Sequence, residues 1–339
     1  MRLFLTSAYF YLEDFNAPKW LMLNSKDSSM CTNDPELADA IIFVESHPVD
    51  DPYFRTVLAH PLFKKYRHKC VLYHDADLSV TALPTLSPSI ESWQFNPRHK
   101  RPFHYIARFT ENKTIDAAPV IYNTDHKYLY SFIGARNHPL RNEILSMNHP
   151  ADSFIKDTFG INAWDLNEAD KVKFEQDFID VINESSFVLC PRGIGPCSYR
   201  LFETMQLGRV PVIISDEWVP IPNIDWDRFT ITVPESKIAL IPQILNERKN
   251  EALEMGRLAR KYWEECFSPE VSLQHMAKAA KELLGHNYSF IDSLKDYSQF
   301  IQRPWHIKNF LRYKKNKMKE YYKKAKLKKR NSRHFSIGI

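Results

Sequence analysis

One stretch of the chain, Phe187–Asp216, constrains the fold more than any other. It reads FVLCPRGIGPCSYRLFETMQLGRVPVIISD, which predicts a buried strand, a glycine-containing loop, a helix, a glycine stop and a second buried strand. In a parallel α/β unit such a loop lies at the carboxyl end of its strand. The helix N-terminus and free backbone N–H groups there favour an anion such as phosphate. The stretch therefore predicts an anion-binding edge in a parallel sheet.

Glycine is scarce in the rest of the chain, because the 339 residues include only eight, whereas ordinary usage is about 7%. Three of the eight, Gly193, Gly195 and Gly208, fall within sixteen residues. We expect Gly193 and Gly195 to let the backbone approach a phosphate and Gly208 to end the helix. The loop lacks the Gly-Lys-Ser/Thr of a Walker A motif and the third glycine of a dinucleotide fingerprint.

Polar side chains around this loop suit a nucleotide. Arg192 can form a charge-assisted fork to phosphate oxygens, and Ser198 can cap the helix or bind phosphate. Arg200 and Glu203 share a helix face that leans toward the loop, where a carboxylate can accept hydrogen bonds from a ribose diol. For each residue alone, the alternative is structural: Ser198 as a cap and Arg200–Glu203 as a surface ion pair.

The assembled pattern resembles the signature of exostosin-type glycosyltransferases. It runs F-x-L-C-P-R-G-x-G-x-x-S-x-R-L-x-E and continues as G-x-V-P-V-I-x-S-D-x-W. Tyr130–Arg136 (YSFIGAR), with Arg141, resembles the strand and loop that open the family's donor domain, and Leu37–Val44 resembles a weaker N-terminal strand. The resemblance implies a GT-B fold: two Rossmann-like halves facing a cleft, the C-terminal half binding a nucleotide sugar. It also implies inverting transfer that needs no metal or other cofactor.

Residue by residue, the resemblance implies a donor site in which arginines neutralise the charge of the diphosphate. The glycines let the diphosphate approach the backbone closely, and Glu203 binds the ribose. A UDP-sugar is the implied donor. The acceptor is expected to be a glycan or lipid-linked glycan, as in polysaccharide biosynthesis. The donor-binding set is Gly134, Arg136, Arg141, Arg192, Gly193, Gly195, Ser198, Arg200 and Glu203.

An inverting transfer needs a base near the acceptor hydroxyl, and we expect that base at a strand end of the N-terminal half. Asp75 is the first choice and Glu45 the second, with His47, His74 and Asp77 as further candidates. The alternative for the two aspartates is that they cap a turn or helix.

The segment Val71–Leu78 also supports a competing interpretation. Its strand followed by Asp75-x-Asp77 resembles the metal–nucleotide motif of the other glycosyltransferase fold, GT-A, in which paired carboxylates hold Mn²⁺ or Mg²⁺. The longer C-terminal signature outweighs this short motif. A second alternative is a non-catalytic subunit that binds a glycan or a nucleotide sugar.

The chain is predicted to divide into an acceptor-side Rossmann-like domain (1–125), a donor-binding domain (126–285) and a helical segment with a basic tail (286–339). Pro-rich residues 84–102 are predicted to form a loop. Short apolar runs predict strands at Arg2–Thr6, Leu21–Leu23, Ala40–Val44, Lys69–Tyr73, His104–Phe109, Pro119–Tyr122, Leu129–Ile133, Phe187–Leu189 and Val210–Ile214.

Positive charge is concentrated at the C-terminus. Residues 303–334 hold 14 Lys and Arg and one acid, Glu320, so the remaining chain carries a net charge of −8. Apolar residues near helical spacing predict an amphipathic helix over 303–333 that lies on an anionic membrane. A solvated tail is the alternative, and nucleic acid is not expected as a partner.

Five scattered cysteines without a CxxC pair, and a weak signal-peptide pattern, predict a cytoplasmic location, peripheral to the membrane.

Overall fold

The computed structural model describes residues 1–9, 16–46, 51–77, 81–106, 113–122, 125–161, 166–301, 304, 307–308, 310–319 and 321–322. These residues form two five-stranded parallel sheets with helices packed against them. The α/β class with two Rossmann-like halves, a GT-B arrangement, is therefore confirmed. His47 and the basic tail beyond residue 322 lie outside the described residues.

The first sheet has its strands in sequence order, each parallel to the next. Its second and third strands are short apolar runs that are buried throughout, as expected for a parallel sheet covered on both faces, whereas in the first strand only Leu3 is buried. The strands are β1 (Leu3–Thr6), β2 (Ala40–Glu45), β3 (Cys70–His74), β4 (Thr85–Ser87) and β5 (Lys100–Pro102).

The second sheet has the order β10-β9-β8-β6-β7. From β6 the chain first adds β7 on one side and then β8 on the other, so the strand order reverses between β6 and β8. Open α/β sheets bind ligands at such a switch point, outside the carboxyl ends of the strands. The strands are β6 (Tyr128–Gly134), β7 (Ser153–Asp157), β8 (Ser185–Pro191), β9 (Val210–Ile214) and β10 (Ile231–Thr232).

Up to residue 301, eleven α-helices among the described residues connect or cover the strands. Several begin at a side chain that accepts a backbone N–H, as Ser198 does for the helix after β8. They are α1 (Ala17–Asn24), α2 (Arg55–Ala59), α3 (Pro61–Tyr66), α4 (Lys113–Asp116), α5 (Pro139–Ser146), α6 (Glu168–Asn183), α7 (Tyr199–Gln206), α8 (Ile241–Glu247), α9 (Ala252–Tyr262), α10 (Pro269–Leu284) and α11 (Phe290–Ile301).

Helix α10 returns the chain to the first half. Its buried residues Leu273, Met276 and Ala280 share a hydrophobic core with β1, β2 and β3. The helix is amphipathic, and the sheet face is where it can bury its apolar side. By its packing α10 therefore belongs with the first sheet, although it lies within the range 126–285 predicted for the second domain.

Several short predicted strands are wrong. Leu21–Leu23 belongs to helix α1, and Pro119–Tyr122 is irregular. The Pro-rich stretch 84–102, predicted as a loop, contains β4 and β5, because each pairs along a neighbouring parallel strand. Of the predicted strand His104–Phe109, residues 104–106 are irregular and the rest lies outside the described residues. Whether such short segments form strands depends on pairing with distant segments, and the local sequence pattern does not reveal that pairing.

The two halves meet through the carboxyl edges of their sheets. Beyond β4, Glu91 forms an antiparallel bridge with Trp218, and the backbone N–H of Ser92 donates to the Glu217 carbonyl at 2.8 Å. The segment after β3 in turn faces the loop between β8 and α7. Asp75 and Asp77 therefore lie against the glycine loop and the start of its helix at one shared interface.

Candidate active site

The glycine loop, residues 192–198, connects β8 to α7 at the switch point of the second sheet. Arg141, from α5, lies beneath it and donates from Nε to the Arg192 carbonyl (3.0 Å) and from Nη2 to the Pro191 carbonyl (3.1 Å). Burial, with a contribution from the charge of Arg200, lowers the pKa of Arg141 to about 9. Arg141 therefore shapes the loop backbone from below and adds positive charge to this edge.

Arg192 lies at the start of the loop and links the two halves. Its Nη2 donates to Oε1 of Glu91 at 2.8 Å, and both side chains are largely buried. Its Nε is buried and has no hydrogen-bond partner among the described residues. Buried polar groups are nearly always satisfied in proteins, so Arg192 retains a donor for a group beyond this set of residues.

Gly193 and Gly195 each permit a close contact, but with different parts of the protein. A Cβ on Gly193 would lie 3.1 Å from Nη2 of Arg141, so this glycine lets the loop pass close over a guanidinium. A Cβ on Gly195 would lie 2.2 Å from both Asp77 Oδ1 and Ser89 Oγ, which belong to the first half. Gly195 thus permits contact between the halves, which is a second requirement beside its predicted approach to phosphate.

Asp77 places a carboxylate directly against the loop. Its Oδ1 accepts a hydrogen bond from Ser89 Oγ at 3.3 Å, and burial raises its pKa to about 6 against the opposing effect of that bond and of Arg141 and Arg192. In this arrangement a first-half carboxylate lies where the loop is predicted to meet phosphate. A donor diphosphate would have to displace it.

Gly134 and Arg136 follow β6 at the other side of the switch point. Gly134 lies so close to the Phe132 ring that a side chain larger than hydrogen would not fit there. Arg136 forms an ion pair with Asp157, at the end of β7. The side chain of Arg136 is about 40% exposed, so it remains accessible from solvent beside the loop.

Arg200 and Glu203 lie on α7 behind the loop. Arg200 donates to the Ile133 carbonyl, and its guanidinium packs over the rings of Phe132 and Phe178. These contacts hold Arg200 against β6 and α6. Glu203 is half-buried one turn further along, and Ser198 caps the helix as predicted. Gly208 adopts a left-handed φ of 69° just past the helix end, as its predicted stop requires.

Asp75, the first candidate base, is held by the second half. Its Oδ2 accepts a hydrogen bond from the hydroxyl of Tyr199 at 2.9 Å, and Tyr199 stacks on Tyr105 with ring centroids 3.7 Å apart. Tyr199 is the first residue of α7. The structure therefore couples the position of Asp75 to the helix that carries the predicted donor residues.

Glu45, the second candidate base, is buried at the end of β2. Its Oε2 accepts from Ser7 Oγ at 2.7 Å and its Oε1 from the backbone N–H of Ala8 at 2.6 Å. Burial raises its pKa to about 8. With both oxygens engaged by the segment after β1, Glu45 is placed to hold that segment, and it is less accessible to an acceptor hydroxyl than the interface carboxylates.

Replacing Glu45 by glutamine should stabilise the protein at alkaline pH. Because the folded-state pKa lies above the ordinary value of 4.5, the folded protein keeps a proton that the unfolded chain releases, and stability falls as pH rises between those two values. Glu45→Gln removes the charge; its oxygen can still accept from the Ala8 N–H, and its amide nitrogen can donate to Ser7 Oγ in place of the bond that Ser7 now donates. We expect it to add about 4 kcal/mol at about pH 8 and less than about 1 kcal/mol at about pH 5. Urea unfolding at the two pH values measures this, and equal effects at both would contradict the assignment.

Sequence reasoning missed three residues of this site: Glu91, Asp157 and Tyr199. Glu91 lies in the stretch predicted as a loop, and Asp157 ends a strand that was not predicted. Tyr199 was visible as the residue after the helix cap, but its partner Asp75 is 124 positions away. Within the described ranges, no three His, Cys, Asp or Glu residues are grouped as metal ligands would be.

The fold and the site together have the GT-B arrangement: a glycine loop and arginines lie at a sheet switch point and face carboxylates of the other half. The chain belongs to the exostosin GT47 family, since the Exostosin GT47 domain matches residues 55–248, more than half of its length.

Curated relatives carry the same family name. The Exostosin-1 homolog of Caenorhabditis elegans is 33% identical over 134 residues, which cover 35% of this chain and 35% of that protein. Exostosin-2 of Mus musculus is 30% identical over 132 residues, covering 38% of this chain and 17% of that protein. The chain thus spans only about a third or less of the length of these relatives. MurG of Acinetobacter baumannii aligns over 81% of this chain at 11% identity with a TM-score of 0.33, a likeness too weak to bear on function.

Proposed function

We propose that the protein transfers a sugar from a UDP-sugar to a glycan or lipid-linked glycan, with inversion and without a metal, in polysaccharide biosynthesis. The observation that carries the proposal is the buried Arg192, whose Nε lacks a partner among the described residues at the switch point of the second sheet. A diphosphate supplies the acceptor oxygens that such a donor requires.

The donor would bind across the carboxyl ends of β6 and β8. Its diphosphate would meet Arg192, the loop amides and the N-terminus of α7, whose partial positive charge favours an anion. Arg136 is close enough to the same edge to add charge by exchanging its partner Asp157 for phosphate. Glu203, further along α7, would accept hydrogen bonds from the ribose hydroxyls.

Asp75 would act as the base. In an inverting displacement its carboxylate takes the proton of the acceptor hydroxyl, the acceptor oxygen bonds to the anomeric carbon, and the bond from that carbon to the diphosphate breaks. The leaving nucleoside diphosphate keeps the electron pair, and the preorganised arginines stabilise its growing charge. The hydrogen bond from Tyr199 would fix the position of the Asp75 carboxylate relative to α7.

The proposed location is cytoplasmic, at the membrane periphery. All five cysteines are free thiols in the structure, and free thiols persist in a reducing compartment. An acceptor linked to lipid would also be reached from such a position.

A thermal-shift measurement with UDP, GDP, CDP and ADP, each with and without Mn²⁺, tests the donor site. We expect UDP to raise the melting temperature without Mn²⁺. Glu203→Ala should weaken UDP binding about 10- to 100-fold, because hydrogen bonds to a charged group contribute about 1.5–3 kcal/mol. Asp75→Asn, in the other half, is the matched control and should keep the UDP shift while losing transfer.

The other outcomes discriminate between the alternatives. A shift only with Mn²⁺ would favour metal-dependent use of Asp75 and Asp77. A UDP shift without any sugar transfer or donor hydrolysis would favour a non-catalytic binding subunit. No shift with any nucleotide would show that the proposed donor site is wrong.

A further inference from the structure

We propose that the C-terminal helices form a fixed platform that binds an anionic lipid surface and seats the acceptor-side half against it. The platform is defined as α11 together with the C-terminal helical segment, whose described residues are 304, 307–308, 310–319 and 321–322. Within the described ranges, no helix is long and apolar enough to cross a bilayer.

Helix α11 is docked by one face and apolar on the other. Its inner side chains Ser293 and Asp296 are buried, and Asp296 lies beside His99 of the first half. Its outer side chains Phe290, Ile291 and Leu294 are 67%, 62% and 52% exposed. These three lie on one helix face. Three large apolar residues so exposed on a docked helix mark an interaction surface rather than a core.

The C-terminal helical segment repeats this arrangement and adds charge. Ile307, Leu311, Met318 and Tyr322 are all exposed and recur at intervals that place them on one helix face. The neighbouring face carries four cations at similar spacing, Lys308, Arg312, Lys315 and Lys319. An exposed apolar stripe beside a cationic stripe fits the boundary of an anionic bilayer, where the apolar side enters and the cations meet the headgroups.

The platform is attached to the first half through Tyr53. Tyr313 and Phe310 of the C-terminal helical segment lie edge-to-face on the Tyr53 ring, with centroids 5.3 and 5.9 Å away, and Tyr297 of α11 packs into the same cluster. The Arg55 guanidinium covers the rings of Tyr53 and Tyr313 at 5.7 and 5.4 Å. The two helical pieces therefore meet at one anchor point on the body.

This anchor lies beside the carboxyl edge of the first sheet. The hydroxyl of Tyr9, after β1, donates to Asp51 at 2.7 Å, and Asp51 also accepts the backbone N–H of Thr56 in α2. The platform is thus connected to the edge that carries Asp75. If the proposed function is right, on which this last step rests, the acceptor is presented at the lipid surface.

Vesicle co-sedimentation of the full chain tests the platform. We expect binding to phosphatidylcholine vesicles that contain phosphatidylserine, little binding without it, and weaker binding as salt is raised. Combining Phe290→Ser, Ile291→Ser and Leu294→Ser should weaken binding about tenfold or more, as should combining Lys308→Gln, Arg312→Gln, Lys315→Gln and Lys319→Gln. Val172→Ser with Leu240→Ser, which replaces exposed apolar residues of the second half, is the matched control and should bind as the unchanged protein does.

The thermal shift with UDP separates this proposal from the donor site, because all of these variants should retain it. Three results would overturn the platform: no binding of the unchanged protein to anionic vesicles, full binding by the apolar variant, or preferential binding to a double-stranded oligonucleotide. A dimer that the Phe290, Ile291 and Leu294 substitutions dissociate would overturn it as well, because a second copy would then cover the face.

Discussion

Replacing Arg192 by alanine is expected to abolish UDP binding and to destabilise the protein by about 3–5 kcal/mol. Arg192 and Glu91 form a largely buried ion pair between the halves, and removing one partner of such a pair leaves the other charge buried and uncompensated. The same change removes the guanidinium that we place on the diphosphate, so UDP affinity should fall about 100-fold or more. Urea unfolding and the UDP thermal shift measure the two effects.

The two effects can be separated with Glu91. Glu91→Gln in the Arg192→Ala protein removes the stranded charge, and the glutamine can still accept from Trp93 Nε1, as Glu91 does at 2.8 Å. We expect this double variant to recover most of the lost stability but none of the UDP binding. Recovery of UDP binding with stability would mean that Arg192 acts only as a structural link and does not touch the donor.

Replacing Gly195 by alanine is expected to disrupt the contact between the halves. The new Cβ would lie 2.2 Å from Asp77 Oδ1 and from Ser89 Oγ, so the loop or the first-half segment must move. Overpacking of this kind costs typically about 1–3 kcal/mol. The displaced loop should also lose UDP affinity. Urea unfolding and UDP titration of Gly195→Ala measure both.

Two further variants test that steric cause. Gly285→Ala is the matched control, because the nearest atom to its Cβ would be the Glu282 carbonyl oxygen at 3.4 Å, an ordinary contact. Combining Gly195→Ala with Asp77→Ala and Ser89→Ala removes the atoms that clash and should restore the stability lost to the overlap. A Gly195→Ala protein as stable as the parent would refute the close approach of the halves.

The elements that sequence analysis predicted well are those with a strong local pattern. The strands β1, β2, β3, β6, β8 and β9 are near-continuous apolar runs, and α7 has a capping serine at one end and Gly208 at the other. Strands β4, β5 and β7 have weaker patterns and form because a neighbouring strand offers hydrogen-bond partners. Their existence depends on residues far away along the chain, which no local pattern reports.

By itself, the sequence determined that a glycine loop with Arg192 follows a buried strand and precedes a capped helix, and it predicted an anion-binding edge there. These are properties of neighbouring residues, whose backbone preferences and charges act locally. Only the tertiary structure decided that Arg141 holds the loop from below, that Glu91 pairs with Arg192, and that Asp75 and Asp77 face α7 and Gly195. Those contacts join residues 50 or more positions apart. The Arg141 contacts form within the second half, and the others form because two separate sheets bring their carboxyl edges together.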